Sequence, residues 1–151
     1  MLYLEAMKPY PHHYTVVATG APSGGVTLET PGVPSLASAP PVEFDGPGDQ
    51  WSPESLLVGA VVDCFVLTFR GIARASKFPF DRLVCRAEGT LDRTENVTRF
   101  VAMRIEADLE IPAGGDAELG RRLLEKAERG CLVTSSLRCE ATLEPRVKET
   151  A

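Results

Sequence analysis

An α+β fold is what this sequence predicts, and three features carry the prediction. They are a long apolar helix over about 53–76, a pair of long alternating strands directly after it, and an amphipathic helix over about 116–129. Strands and helices come in blocks rather than in strict alternation, so the expected architecture is an antiparallel sheet packed on the central helix, in the order β-β-loop-α-β-β-α-β. With 44% hydrophobic and 25% charged residues in 151, the chain can bury one sizeable core. A single domain over 1–151 is therefore expected, with 1–13 as an N-terminal extension.

The first elements are short. YTVVAT at 14–19 and GGVTLET at 24–30 are β-prone runs separated by the turn-forming PSGG, which reads as a hairpin. Residues 31–50 carry Pro34, Pro40, Pro41, Pro47, Gly46 and Gly48, a composition that suits a loop or arm with at most a short edge strand.

The central helix has a marked start. Ser52 suits the N-cap, Pro53 the first helical position, and Glu54 puts a negative charge where unpaired backbone N–H groups point. Pro79 stops it. From Leu56 to Phe69 apolar side chains run around nearly the whole circumference, so the helix is expected to be covered on most sides, by its own sheet and by a partner subunit. Small Gly59 and Ala60 would allow a close approach to its backbone.

In the next strand Leu83, Cys85, Ala87 and Leu91 alternate with charged residues, and in the following one Val101, Met103, Ile105, Ala107, Leu109 and Ile111 do the same. TLDRTENVT between them reads as a hairpin loop. The second helix turns Leu119, Leu123, Leu124 and Ala127 inward and has Gly130 as its expected C-cap. CLVTSSL suits a short helical turn, and LRCEATLEP a closing strand with Leu137, Cys139, Ala141 and Leu143 on one side.

Composition excludes several function classes. Sixteen basic against 21 acidic residues, with the basic ones scattered, argue against nucleic-acid and anionic-membrane binding. The N-terminus has no secretory pattern, and the apolar run inside 56–69 is interrupted by Asp63 and falls short of a bilayer span of roughly 20 residues. A cytoplasmic setting with reduced thiols is expected. The four cysteines contain no CxxC pair and His12 and His13 are adjacent, so neither a metal nor a cofactor is expected. PSGGVT, GPGD and AGGD lack phosphate-loop spacing, and no hydrolase elbow is present.

The thiols carry the remaining chemistry. Cys64 reads either as a small inert hydrophobe inside VVDCFVL or as a nucleophile, and the second reading needs a thiolate, a neighbouring cation and access. Cys131 follows the Glu128-Arg129-Gly130 stop, where the free N–H groups of a new helical turn would favour a thiolate; the alternative is a half-buried loop cysteine. Cys85 and Cys139 occupy apolar strand phases and read as core. Glu54 lies ten residues before Cys64, about 15 Å along a straight helix, so the two cannot touch within one helix.

Taken together, WSPESLLVGAVVDCFVLTF and AERGCLVTSSL resemble the signatures of the OsmC/Ohr family of thiol peroxidases. In that family a Pro-Glu pair opens the central helix, a cysteine follows ten residues after the glutamate, and a second cysteine comes later; here these are Pro53, Glu54, Cys64 and Cys131. The likeness runs from about residue 14 to about 145.

The resemblance implies an OsmC-like intertwined homodimer. It assigns catalysis to Cys64, Cys131 and Glu54: the Cys64 thiolate attacks an organic hydroperoxide and becomes a sulfenic acid, Cys131 condenses with it to a disulfide, and an external thiol reductant restores both. An apolar pocket around Phe65 and Phe69 is expected to favour bulky peroxides. The sequence departs from the family at one point. Members carry an arginine in the N-terminal strand region that pairs with the helix-start glutamate, whereas residues 1–69 here contain none, and Leu132 replaces the proline often found after the second cysteine. That departure keeps a second function in play, a non-enzymatic, stress-related dimer that binds an apolar small molecule.

Overall fold

In the computed structural model, which describes residues 8–151, the chain divides into two compact units, one ending at Glu54 and the other beginning at Ser55. Residues 1–7 of the expected extension lie outside the described residues. His12 is exposed and stacks on Tyr10, with ring centroids 4.6 Å apart.

The N-terminal unit is a three-stranded antiparallel sheet of β1 (Val17–Gly20), β2 (Val26–Glu29) and β3 (Leu36–Ser38), in that order. The PSGG turn sets the first hairpin as expected, with Gly20 opposite Val26. The three-residue β3, at the sheet edge, is the short edge strand allowed for in the expected loop or arm. Beyond β3 the backbone stays tied down: Ala39 N–H donates to the Trp51 carbonyl at 2.8 Å, and Val42–Phe44 form a 3-10 turn.

The second unit holds most of α1 (Pro53–Ala75). Its fully buried residues are Val61, Phe65, Phe69 and Ala73, each four apart, which is one stripe of a helix rather than a full circumference. Leu67 on another side is 53% exposed. The all-round cover read from the sequence is thus absent within one chain, because one sheet can seal only the side it faces. By length and composition α1 could cross a membrane, but its stripe packs into the core cluster with Met103, Ile105 and Leu109, as a core helix does.

β4 (Arg82–Thr94) and β5 (Val97–Ile111) pair antiparallel through to Thr94 opposite Val97. The expected loop shrinks to Glu95 and Asn96, both at positive φ (51° and 62°), the conformation that lets a two-residue turn follow the strand twist. Along β5, Met103, Ile105, Ala107, Leu109 and Ile111 are buried in strict alternation.

β6 (Glu140–Glu149) runs parallel to β5, completing a mixed sheet in the order β4-β5-β6 and correcting the purely antiparallel expectation. The reason is the connection. A chain leaving β5 through α2 (Ala117–Gly130) and α3 (Leu132–Ser135) crosses over and re-enters the sheet in the same direction.

Asp116 caps α2, accepting from Leu119 N–H at 2.9 Å, and Leu123, Leu124 and Ala127 are buried. A close approach is seen at Gly89 of β4, where a β-carbon would lie 2.8 Å from Phe100 and 3.0 Å from Val58 of α1. The opposite sheet face is charged. Arg86 and Arg146 flank Asp108, and Arg104 reaches Glu106 at 2.9 Å and Glu144 at 3.1 Å. The Arg146 hydrogen bond holds the Asp108 carboxyl below the usual range. These pairs are solvent-exposed and each contributes little stability.

Candidate functional site: two thiols across Thr68

Cys64 sits at the middle of α1, half-buried on the flank of the sealed stripe. One turn later, on the same side, Thr68 brings its hydroxyl to 3.9 Å from the Cys64 sulfur. Thr68 also faces the end of α2, since a β-carbon on Gly130 would stand 3.7 Å from its methyl group. Cys131 is the residue after Gly130. Thr68 is thus the link between the two cysteine neighbourhoods, and the signal that could have found it was its i, i+4 relation to Cys64.

Cys131 opens a new helical turn, as one of its two readings expected, and departs from the other. It is fully buried rather than half-buried in a loop, and it does cap the short α3 turn, but its side chain makes no capping hydrogen bond. The C-cap of α2 is Cys131 itself rather than Gly130. Its backbone is firmly held instead: the carbonyl accepts from Ser135 N–H at 3.1 Å, the Thr134 hydroxyl at 3.0 Å and the Ser135 hydroxyl at 2.9 Å. Phe65 and Phe69, around which an apolar pocket was expected, have no exposed surface among the described residues and fill the core.

Glu54 occupies the first turn of α1 as expected. Its Oε2 atom is buried and has no hydrogen-bond partner among the described residues, which is costly for a carboxylate oxygen and matches the absence of arginine from residues 1–69.

All four cysteines are unbonded. Cys85 packs against the core from β4 as its strand phase indicated, and Cys139 packs against it from the bend before β6, outside the strand expected there. The Cys85 thiol is pushed up to about 12, first by burial and then by the negative charges that Cys131 and Asp108 can carry. Cys85 therefore stays protonated where an unfolded thiol would ionise, so its contribution to stability is complete below about pH 9 and is lost as pH rises towards 12. Denaturant titrations between pH 8 and pH 11 should show a falling stability for the wild type and a shallower fall for C85V. Equal slopes would remove Cys85 as the cause. Among the described residues, no group of three or more His, Cys, Asp and Glu side chains is placed to hold a metal ion.

A long central helix bearing one thiol, a sheet packed on it and a second thiol at the end of the crossover helix define an OsmC-like protein. Residues 46–146 match the family model described as OsmC-like protein, and the chain belongs to that family. Among curated relatives, the uncharacterized protein YmaD of Bacillus subtilis (strain 168) is 29% identical over 113 residues, 72% of this chain and 75% of YmaD. Two solved structures share the fold. An OsmC-like protein of unknown function from Vibrio cholerae superposes with a TM-score of 0.82 at 15% identity, covering 89% of this chain and 99% of that one. An organic hydroperoxide resistance protein OsmC from Legionella pneumophila gives 0.70 at 23% identity, covering 93% and 99%.

Proposed function

We propose that this protein is a cytoplasmic, thiol-dependent organic hydroperoxide reductase. The observation that carries the reading is Thr68, whose hydroxyl stands 3.9 Å from the Cys64 sulfur and whose methyl group would stand 3.7 Å from a β-carbon on Gly130, the residue before Cys131. In the proposed cycle the Cys64 thiolate attacks the distal oxygen of the hydroperoxide, the O–O bond breaks, and the alkoxide leaves as an alcohol after taking a proton. Cys64 is then a sulfenic acid. The Cys131 sulfur attacks it, water departs, and a Cys64–Cys131 disulfide remains. An external dithiol takes the disulfide back to two thiols and is itself oxidised.

The burial of Cys131 fits a resolving role, because a thiol shielded from solvent meets oxidant only through its partner sulfur. The exposed side of α1, with Leu67 53% open, supports a homodimer in which a second copy supplies the missing cover. The test is one equivalent of an organic hydroperoxide followed by native mass spectrometry and peptide mapping. A dimer mass with a Cys64–Cys131 bridge inside one chain is expected. A bridge between other cysteines, or none, would end the reading.

The buried, unpartnered Glu54 oxygen favours a second function, a non-enzymatic dimer that binds an apolar small molecule and carries poorly activated thiols.

A further inference from the structure

The tip of the β4–β5 hairpin and the start of β6 enclose a cavity of about 420 Å³ lined by Thr94, Glu95, Arg99, Phe100, Val101, Arg138 and Cys139. On the charged sheet face most of the arginines are paired, Arg82 being the exception among the described residues. There Arg86, Arg104 and Arg146 are each engaged by carboxylates. In the hairpin cavity neither Arg99 nor Arg138 has an ion pair or hydrogen bond among the described residues, and with Glu95 as the single acid the lining carries one positive charge in excess. A cavity with two unengaged guanidiniums favours a ligand with more than one carboxylate, because each guanidinium presents a planar fork of donors. Phe100 and Val101 add an apolar wall for the body of such a ligand. The remaining member is a free thiol, half-buried Cys139.

We infer that this cavity is a thiolation site: it docks a low-molecular-mass disulfide bearing carboxylates and passes one half of it to Cys139. In the step the Cys139 thiolate attacks one sulfur of the incoming disulfide RS–SR. The Cys139–S–S–R bond forms as the original S–S bond breaks, and RS⁻ leaves with the electron pair and takes up a proton from water. Cys139 is oxidised and the disulfide is reduced, so no further oxidant is needed. An excess of the free thiol RSH reverses the step. Arg99 and Arg138 act as positioning residues that hold the carboxylates of the reagent while its sulfur meets Cys139.

The other thiols suit the reaction less well. Cys131 has no exposed surface, and Cys85 is held protonated by its surroundings. This inference does not rest on the hydroperoxide chemistry, and its test is run in a C64S/C131S background so that the two stand or fall separately.

The experiment compares glutathione disulfide, an anionic probe, with bis(2-hydroxyethyl) disulfide, a neutral one, by peptide mass spectrometry over time. The adduct is expected at Cys139, forming faster with the anionic probe, and the preference should drop by about fivefold or more in R99Q/R138Q, the scale of two exposed ion pairs. R99K/R138K keeps the charge but not the fork and guards against misfolding; it should retain part of the preference, and high salt should weaken it. An adduct confined to Cys85, or a preference unchanged in R99Q/R138Q, would overturn the inference.

Discussion

Replacing Cys64 with serine should abolish peroxide reduction, lowering the stopped-flow rate with an organic hydroperoxide by about three orders of magnitude or more. The magnitude follows from the chemistry. A serine hydroxyl is un-ionised at neutral pH and oxygen offers no sulfenic state, so the first bond-breaking step loses its nucleophile beside Thr68. Cys131 is fully buried and Cys85 is held protonated, so neither takes over. C131S gives the informative contrast. It should complete the first step at close to the wild-type rate and then stop, with Cys64 accumulating as sulfenic acid and passing to sulfinic acid under excess peroxide. Equal and negligible rates in wild type and C64S would transfer the protein to the second function, and retention of a bound apolar ligand by C64S would support that outcome.

The parts of the fold legible in the sequence were those fixed by local chemistry. Ser52-Pro53-Glu54 marked the start of α1 and Pro79 its end, and the observed helix runs from Pro53 to Ala75. The alternation of Met103, Ile105, Ala107, Leu109 and Ile111 marked β5, and all five are buried. What was illegible depended on contacts distant in sequence. The parallel pairing of β6 follows from where the α2–α3 crossover delivers the chain, which no local pattern encodes. The pairing of β4 and β5 carries strand into TLDRTENVT because thirteen residues have partners across the hairpin, although that segment is polar enough to read as loop.

The site divides in the same way. The positions of Cys64, Cys131 and Glu54 were readable from the two motifs, but their environments were not. That Cys131 has no exposed surface, that Phe65 and Phe69 fill the core instead of lining a pocket, and that Glu54 keeps an unpartnered oxygen all depend on packing. Thr68 was missed because its role comes from standing between two helices rather than from its own type.

That packing sets the second large effect. Phe69→Ala should destabilise the protein by about 3–5 kcal/mol, the usual cost of removing a fully buried ring and leaving a cavity. Phe69 has no exposed surface and meets Phe80 edge-on, with ring centroids 5.1 Å apart and planes at 72°, so the substitution also removes an aromatic pair. The surrounding stripe has little means to collapse, because Phe65 and Ala73, one turn away on either side, are themselves sealed against the sheet. Phe69→Leu keeps most of the volume and should cost much less. Leu132→Ala, at a position 70% exposed, should stay within about 0.5 kcal/mol. Chemical denaturation of the three variants measures the differences directly. A Phe69→Ala loss no larger than that of Leu132→Ala would mean that α1 is not anchored through this stripe, and the position of Cys64 on its flank would then lose its structural basis.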